Sequence, residues 1–338
     1  MREDIKKALQ KKKYTWLITG VAGFIGSNLL ESLLTNNQCV IGIDNFETGH
    51  QDNIDDVKQS VSSSQWKNFT FHEIDIFNYT ELENVFNDVD FVLHQAALGS
   101  VPRSISDPKR TNEVNISGFL NVLNIAKENL VKGFIFATSS SVYGDHKTLP
   151  KKENCIGNPL SPYAITKLTN ELYAKTFSEH YGFKSVGLRY FNVFGKRQDP
   201  HGAYAAVVPR WIKSMIDNNE IYINGDGSTT RDFCYIENAI DANILSALKI
   251  QEMTNSFEVM NIAVGESNDL NKLFELIYSI MAKNEVCCDK KLSYRNFRPG
   301  DIKDSLADIS KAKKLINYYP RYNLKEGLKE CIPWYIKN

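Results

Sequence analysis

Two side chains with complementary chemistry, Tyr163 and Lys167, lie four residues apart in this sequence. They follow Ser161-Pro162, a pair typical of the first turn of a helix, and the i,i+4 spacing places both side chains on one helix face. A nearby ammonium group stabilises a phenolate, so we expect Lys167 to lower the pKa of Tyr163 from about 10. The pair therefore predicts a base that works near neutral pH.

A second pair, Tyr143 and Lys147, has the same spacing, so the spacing alone does not identify the base. This second pair contains a glycine and runs into Leu149-Pro150, which indicates a turn rather than a helix. We therefore favour the first pair.

Three consecutive serines, Ser139, Ser140 and Ser141, end a predicted strand that begins at Phe134. Open parallel sheets bind ligands at the carboxyl ends of their strands, where a hydroxyl can donate to or accept from a reacting oxygen. The alternative is structural: the serines would cap the strand, and Tyr163 would pack as an ordinary residue of an amphipathic helix.

A glycine-rich segment, Gly20-Val-Ala-Gly23-Phe-Ile-Gly26, lies between a predicted strand and a predicted helix. Glycines in this pattern permit a tight turn and the approach of a pyrophosphate, and the helix N-terminus offers amides and a positive dipole. Asp44 ends the next predicted strand, where a carboxylate binds the adenosine ribose and repels a 2′-phosphate. The pattern predicts a site that prefers NAD to NADP; the alternative is a glycine turn beside a solvated aspartate.

The elements that must position these residues alternate between short β-branched or aromatic runs and segments of helical periodicity. This alternation predicts an α/β fold with a doubly wound parallel sheet. The predicted strands are Trp16–Thr19, Cys39–Asp44, Phe69–Ile74, Phe91–His94, Phe134–Ser139, Ser185–Arg189 and Phe257–Val264. The predicted helices lie near residues 24–35, 79–87, 108–129, 161–181, 206–217, 236–249, 268–283 and 323–335.

The alternation weakens after about residue 190, which predicts a second, smaller mixed α/β domain. We expect residues 1–190 with about 235–265 to form the dinucleotide domain, and about 191–234 with 266–338 to form the other. We expect residues 1–13 to form an exposed basic helical extension and the polar stretch 45–68 to run as an excursion over the protein surface.

The composition excludes several classes of protein. The 40 Lys plus Arg residues balance 40 Asp plus Glu, so no net charge attracts the chain to nucleic acid or to an anionic membrane. The apolar runs are shorter than the roughly 20 residues of a membrane helix, and the six cysteines form no CxxC pair. We expect a cytoplasmic protein with reduced thiols, and the spacing of His94, His146 and His201 predicts no metal site.

Together, the glycine motif, Asp44, Ser139-Ser-Ser-Val-Tyr-Gly144 and Tyr163-x-x-x-Lys167 resemble the motifs of extended short-chain dehydrogenase/reductases that act on nucleotide sugars. Further matches are Asp75-Ile76, His94-Gln-Ala-Ala97, Arg189-Tyr-Phe-Asn192, Gly225-Asp-Gly with Arg231-Asp232, and Arg298-Pro-Gly-Asp301. The resemblance implies a Rossmann sheet and tightly bound NAD. The residues it implies for NAD are Gly20, Gly23, Phe24, Ile25, Gly26, Asp44, Asn45, Asp75, Ile76, Gln95, Ala96, Ala97, Thr138, Tyr163, Lys167 and Tyr190.

The resemblance also implies catalysis by Ser139, Tyr163 and Lys167 on a UDP-sugar. The residues it implies for the substrate are Ser100, Arg103, Ser139, Ser140, Ser141, Asn192, Gln198, Ala206, Val207, Tyr222, Asn224, Arg231, Arg298, Asp301 and Ser305. Among them, Asn192 would contact a phosphate, Arg231 and Arg298 the diphosphate, Asp301 the uridine ribose, and Tyr222 and Asn224 the uracil.

The three residues at the strand end separate the reactions of this family. The related 4,6-dehydratases carry Asp-Glu after the hydroxyl residue in order to eliminate water, whereas this chain has Ser140-Ser141. The resemblance therefore implies C4 epimerisation: Tyr163 takes the C4 hydroxyl proton, directly or through Ser139, while hydride passes from C4 to NAD. The 4-keto sugar then turns over about its diphosphate link and takes the hydride back on its other face.

Several residues resemble those of epimerases that prefer N-acetylated sugars. The stretch from Ala97 to Ser104 is similar to that of bacterial UDP-N-acetylglucosamine 4-epimerases of surface-polysaccharide synthesis, and Ser305 replaces a bulky Tyr that excludes the acetamido group. The pocket residues Gln198, Ala206 and Ser140 match the same group. We expect interconversion of UDP-N-acetylglucosamine and UDP-N-acetylgalactosamine, with weaker activity on UDP-glucose and UDP-galactose, because lost apolar contacts cost only about 1–3 kcal/mol. The alternative is that Ser305 is an ordinary loop serine.

Two other functions stay open. A UDP-glucuronate 4-epimerase or decarboxylase would need a cation beside C6, which the sequence does not identify. A non-catalytic NAD-sensing protein would keep the fold and lose the chemistry. The presence of Ser139, Tyr163 and Lys167 together favours an enzyme.

The resemblance implies a homodimer. The balanced charge and the short apolar runs predict no nucleic-acid or membrane partner. The helices near 108–129 and 161–181 would pair across a two-fold axis into a four-helix bundle. The apolar residues expected on the first of these helices are Phe119, Leu120, Val122 and Leu123.

Overall fold

The computed structural model describes residues 1–202, 205–286, 289–296 and 303–338. Its strands are β1 (Thr15–Thr19), β2 (Cys39–Asp44), β3 (Phe69–Glu73), β4 (Phe91–His94), β5 (Gly133–Ser139), β6 (Ser185–Tyr190), β7 (Val193–Phe194), β8 (Ile221–Asn224), β9 (Thr230–Arg231), β10 (Cys234–Tyr235), β11 (Phe257–Ile262), β12 (Asn268–Asp269) and β13 (Leu292–Arg295). Its helices are α1 (Glu3–Lys11), α2 (Phe24–Thr35), α3 (Gln51–Ser60), α4 (Ser63–Trp66), α5 (Tyr79–Glu83), α6 (Val101–Ser106), α7 (Pro108–Asn112), α8 (Phe119–Glu128), α9 (Pro162–Tyr181), α10 (Val207–Ile216), α11 (Ile236–Lys249), α12 (Leu270–Lys283), α13 (Ser310–Ile316) and α14 (Leu324–Lys337). A π-helical segment, Glu113–Gly118, joins α7 to α8, and short 3-10 segments cover Ser140–Tyr143 and Ile250–Glu252.

The main sheet contains seven parallel strands in the order β11-β6-β5-β4-β1-β2-β3. Its central strands are apolar and buried, as expected for a parallel sheet with helices on both faces. This order confirms the predicted doubly wound α/β fold, and the strand predicted over residues 257–264 joins the sheet as β11. The order reverses between β1 and β4, so a crevice opens outside the carboxyl ends of these two strands.

The remaining strands form two-stranded ladders outside the main sheet. In the part of the chain that the structure describes, these ladders pair β7 with β10, β9 with β12, and β8 with β13. The proposed boundaries between two domains stay a prediction. Among the described helices, none has the combined length and hydrophobicity to cross a membrane.

Two segments predicted to lie at the surface are partly buried. Helix α1 is not a wholly exposed extension, because Ile5 and Leu9 are 1% and 2% exposed and its lysines take the outer face. Helix α3 lies inside the stretch predicted as a surface excursion, and it packs on α2 through Ile54 and Val57. Both predictions are wrong because a few apolar side chains are enough to pack an otherwise polar helix against the core.

Two predicted helices have other lengths or shapes. The helix predicted over 79–87 ends at Glu83, ahead of Asp88, whose φ of 57° is left-handed. The helix predicted over 108–129 is interrupted by the π-helical segment. Three of the four residues expected on its dimer face, Phe119, Val122 and Leu123, are instead fully buried in the chain's own core, because the apolar side of α8 packs on the sheet.

Candidate active site

The glycine motif forms a cradle at the end of β1 that side chains would fill. Gly20 has a φ of +72°, and a Cβ there would lie 2.7 Å from the Ala96 nitrogen. A Cβ on Gly26 would lie 2.0 Å from the Gly20 carbonyl oxygen. The first turn of α2 therefore packs directly on the preceding turn, with its N-terminus at the crevice, which fits the pyrophosphate of a dinucleotide.

A cavity of about 430 Å³ opens from this cradle. The predicted NAD residues that line it are Gly20, Gly23, Phe24, Ile25, Gly26, Asp44, Asn45, Asp75, Ile76, Gln95, Ala96 and Ala97. Four residues predicted for the substrate also line it: Ser100, Arg103, Gln198 and Ala206. The structure thus brings most of the predicted NAD residues to one cavity, with part of the predicted sugar site beside them.

Sequence reasoning missed other residues of this cavity, which are Ile43, Glu47, Thr48, Gly49, Ile74, Leu98, Gly99, Val114, Asp199, Gly202 and Ala205. Most of them immediately follow β2, β3 or β4, so the rule that ligands lie beyond the carboxyl ends of strands would have found them. Ile43 lies within β2, one residue before its end.

The Asp44 carboxylate is fixed at the cavity by two backbone amides. It accepts hydrogen bonds from the Ala22 amide at 2.8 Å and from the Phe46 amide at 2.9 Å. Burial raises the pKa of Asp44, and these amides oppose the rise. The carboxylate is thereby held at the end of β2, where the predicted ribose contact requires it.

Three successive residues at the end of β5 contact one face of α9. The Ala137 carbonyl accepts a hydrogen bond from Lys167 Nζ at 2.9 Å, and Thr138 Oγ1 donates to Glu171 Oε1 at 2.6 Å. The Ser139 side chain is close enough to the Tyr163 phenol to act on its pKa. Tyr163, Lys167 and Glu171 are spaced by four residues and so lie on one face of α9. The end of β5 therefore orients the predicted catalytic side chains by its contacts with that face.

The expected fall in the pKa of Tyr163 is wrong for this structure. Burial raises the pKa of Tyr163, and the hydrogen bond from Ser139 opposes that rise only in part. Lys167 Nζ lies 5.9 Å from the Tyr163 ring centre, and burial lowers the pKa of Lys167 to about 8. The physical reason is desolvation, which disfavours the charged form of both groups.

A buried ion pair behind these residues was also missed. Arg189 in β6 donates from Nε and Nη2 to the two Glu171 oxygens, at 3.0 and 2.7 Å. Glu171 is four residues beyond Lys167 on the same helix face, and this spacing is the signal that would have found it. The bidentate pair ties α9 to β6 beside Thr138.

A further predicted NAD residue, Tyr190, takes part in a closed set of hydrogen bonds. Its hydroxyl donates to Gln95 Oε1 at 3.2 Å and accepts from Asn243 Nδ2 at 2.8 Å, while Gln95 Nε2 donates to Asn243 Oδ1 at 3.1 Å. Thr138, Tyr163, Lys167 and Tyr190 do not line the cavity itself. The set holds Gln95 at the cavity wall.

A second cavity of about 250 Å³ lies beyond the first. The predicted substrate residues that line it are Asn192, Ala206, Val207, Tyr222, Asn224 and Arg231. Ala206 lines both cavities, so the two adjoin. Sequence reasoning missed Arg210, which also lines the second cavity and lies on α10, one helical turn after Ala206.

The other predicted substrate residues either line neither cavity or lie outside the described residues. Ser139, Ser140, Ser141 and Ser305 are half-buried and line neither cavity. Arg298 and Asp301 lie outside the described residues. His94 is a structural residue: it is buried against Thr19 Oγ1 at 2.9 Å, and burial lowers the pKa of His94 to about 3.

Comparisons with known proteins agree with this arrangement. Residues 16–263 match the model of the NAD dependent epimerase/dehydratase family. The chain is 35% identical to a putative UDP-glucose 4-epimerase of Methanocaldococcus jannaschii, over 95% of this chain and 98% of that protein. It is 34% identical to a UDP-glucuronate 4-epimerase of Thermodesulfobacterium geofontis, over 96% of each. A solved UDP-N-acetylglucosamine 4-epimerase from Methanobrevibacter ruminantium M1, in complex with UDP-N-acetylmuramic acid, is 39% identical with a TM-score of 0.87, covering 96% of this chain and 99% of that one.

Proposed function

The chain belongs to the NAD dependent epimerase/dehydratase family, and from this membership we propose that it is a UDP-sugar 4-epimerase that interconverts UDP-N-acetylglucosamine and UDP-N-acetylgalactosamine. The observation that carries the proposal is the set of α9 contacts at the end of β5. Tyr163 and Lys167 meet Ser139 and its neighbours there, and positions 140 and 141 carry serines where a dehydratase carries acids.

Each catalytic side chain has one task in this reaction. NAD, when bound, supplies a hydride acceptor and donor. Tyr163 takes the proton from the C4 hydroxyl, directly or through Ser139, and returns it after the 4-keto sugar has turned over. Lys167, anchored on the Ala137 carbonyl, keeps its ammonium group on the same side of the helix as the phenol, where a positive charge favours the phenolate against the desolvation that raises its pKa.

The preference for an N-acetylated sugar is supported by small and polar residues near the predicted sugar site. Ala206 lines both cavities with a single methyl group, which leaves room for an acetamido group. Gln198 lines the larger cavity, where its Nε2 donates to the Val193 carbonyl at 3.2 Å and leaves its Oε1 as an acceptor. Ser305, the position at which relatives that exclude the acetamido group carry a Tyr, is half-buried and small but lines neither cavity.

Proton NMR of the purified protein with three separate substrates tests the proposal. We expect the galacto signals to appear fastest from UDP-N-acetylglucosamine, more slowly from UDP-glucose and not from UDP-glucuronate. Fastest turnover of UDP-glucuronate, the substrate in the name of one relative, would replace the proposed substrate. No turnover in any tube after NAD is supplied would reject the enzyme and favour a binding protein.

Substitution Ser305→Tyr should change the substrate preference. We expect kcat/KM for UDP-N-acetylglucosamine to fall by about tenfold or more, because the tyrosine ring would occupy the space of the acetamido group, while UDP-glucose turnover stays within about twofold. Ser305→Ala is the matched control, since it adds no volume. An equal loss for both sugars would show that Ser305 does not select between them.

We also propose that the protein is a homodimer. Helix α9 exposes Ile165 and Leu172, which are 52% and 57% accessible, and these residues with half-buried Leu120 of α8 would replace the buried residues first expected at the interface. Exposed aliphatic residues repeated along one helix commonly mark a protein interface. Light scattering at micromolar concentration should give twice the chain mass; the mass of a single chain would reject the dimer.

A further inference from the structure

Residues 195–199, hereafter the arm, connect the end of β7 to the wall of the larger cavity. Gln198 and Asp199 of the arm line that cavity, while Arg197 turns away from it into the protein. We propose that Arg197, through Glu31 and Asp56, is a positioning residue that holds the arm at the wall of the larger cavity and slows the release of NAD from it. The inference rests on the NAD dependence of the family and not on the identity of the sugar.

The Arg197 side chain is fully buried between two acids. Its Nη2 lies 2.6 Å from Glu31 Oε2, and its Nε donates to Asp56 Oδ2 at 2.6 Å. The exposed fraction of the Arg197 side chain is 0%, against 21% and 26% for the two acids. A buried guanidinium with two carboxylate partners strongly constrains the position of its backbone.

The two acids lie on the helices that carry the NAD site. Glu31 is in α2, whose first turn forms the glycine cradle, and Asp56 is in α3, which follows the cavity-lining residues after β2. One end of each helix therefore faces the cavity and the middle of each helix binds Arg197. Any movement of the arm away from the cavity must break contacts with both helices.

Other contacts keep the arm folded when the ion pairs are weakened. The Tyr335 hydroxyl lies 2.8 Å from the carbonyl oxygens of both Gly195 and Gln198, and Asn28 Nδ2 donates to the Lys196 carbonyl at 3.1 Å. Lys196 Nζ also contacts Glu31, at 2.6 and 2.8 Å. Loss of the charge on Asp56 alone should therefore loosen the arm without unfolding the chain.

The rate of NAD release from the loaded protein tests the role of Arg197. Asp56→Asn keeps the shape of the side chain but removes its charge, and we expect NAD to leave about tenfold faster, since hydrogen bonds to charged groups are among the stronger ones. The NAD that remains with the protein during dialysis is assayed after denaturation, with the melting temperature measured alongside. Asp55→Asn is the matched control, because Asp55 is the exposed neighbour on α3 and contacts Gln51 rather than Arg197.

Faster release from Asp56→Asn alone, at an unchanged melting temperature, supports the proposal. Equal release from wild type and both variants overturns it. Should Asp56→Asn melt early, the same comparison is made with Arg197→Lys, which keeps the charge but loses the paired nitrogens; fast release supports the proposal and wild-type release overturns it. A wild-type protein that never holds NAD would overturn the role of Arg197 and the cofactor together.

Discussion

Replacing Tyr163 by phenylalanine should lower kcat by about a thousandfold while NAD and UDP-sugar still bind. The substitution removes the hydroxyl that we propose takes the C4 proton, and it leaves the ring in its half-buried position on α9. Lys167 keeps its hydrogen bond to the Ala137 carbonyl, so the helix stays attached to β5. Turnover followed by NMR gives kcat, and titration with UDP gives the affinity for the nucleotide.

Tyr173→Phe provides the matched control, since Tyr173 is an exposed tyrosine on the same helix. It should leave kcat within about twofold of wild type, as surface substitutions usually do. Full turnover by Tyr163→Phe would mean that another group takes the proton, and the proposed mechanism would have to be abandoned.

The pH dependence of kcat gives a second signature of the same residue. Because burial raises the pKa of Tyr163, the phenolate is the minor form at neutral pH and its fraction grows as the pH rises. The wild-type rate should therefore increase with pH and level off near pH 8, where about half of the Lys167 side chains have lost their charge. The residual rate of Tyr163→Phe should lack the rise.

Gly26→Ala should abolish NAD retention, with an expected loss of affinity of more than about a hundredfold. The new Cβ would lie 2.0 Å from the Gly20 carbonyl oxygen and 2.8 Å from Val21 Cα, and both are backbone atoms that cannot rotate away. The first turn of α2 would have to move from the cradle, and its amides would no longer face the pyrophosphate. The NAD content of the purified variant, read from its absorbance ratio, measures the effect.

Gly99→Ala separates this local clash from a general effect of alanine in the cavity. Gly99 also lines the cavity, but a Cβ there meets nothing within 4 Å. We expect this variant to retain NAD as the wild type does. Equal NAD retention by both alanine variants would show that the close packing of Gly26 is not required for binding.

The fold could be predicted largely from local sequence. The strands Cys39–Asp44 and Phe91–His94 and the helices Phe24–Thr35 and Ile236–Lys249 have the predicted bounds, because β-branched runs, glycine turns and helical periodicity are properties of neighbouring residues. Helix α3 was missed because prediction from neighbouring residues depends on a clear local pattern. Its polar composition carries little periodic signal, and only contact with α2 shows why it forms.

The dinucleotide cradle, the acid after β2 and the spacing of Tyr163 and Lys167 could be predicted from the sequence, since each is a short-range pattern within one turn or helix. The protonation of that pair and the contacts behind it depend instead on how distant parts of the chain pack together. Desolvation depends on every element packed around a group, so the raised pKa of Tyr163 has no sequence signal. Arg197 likewise meets Asp56 across 141 positions of chain, a distance that no local pattern can predict.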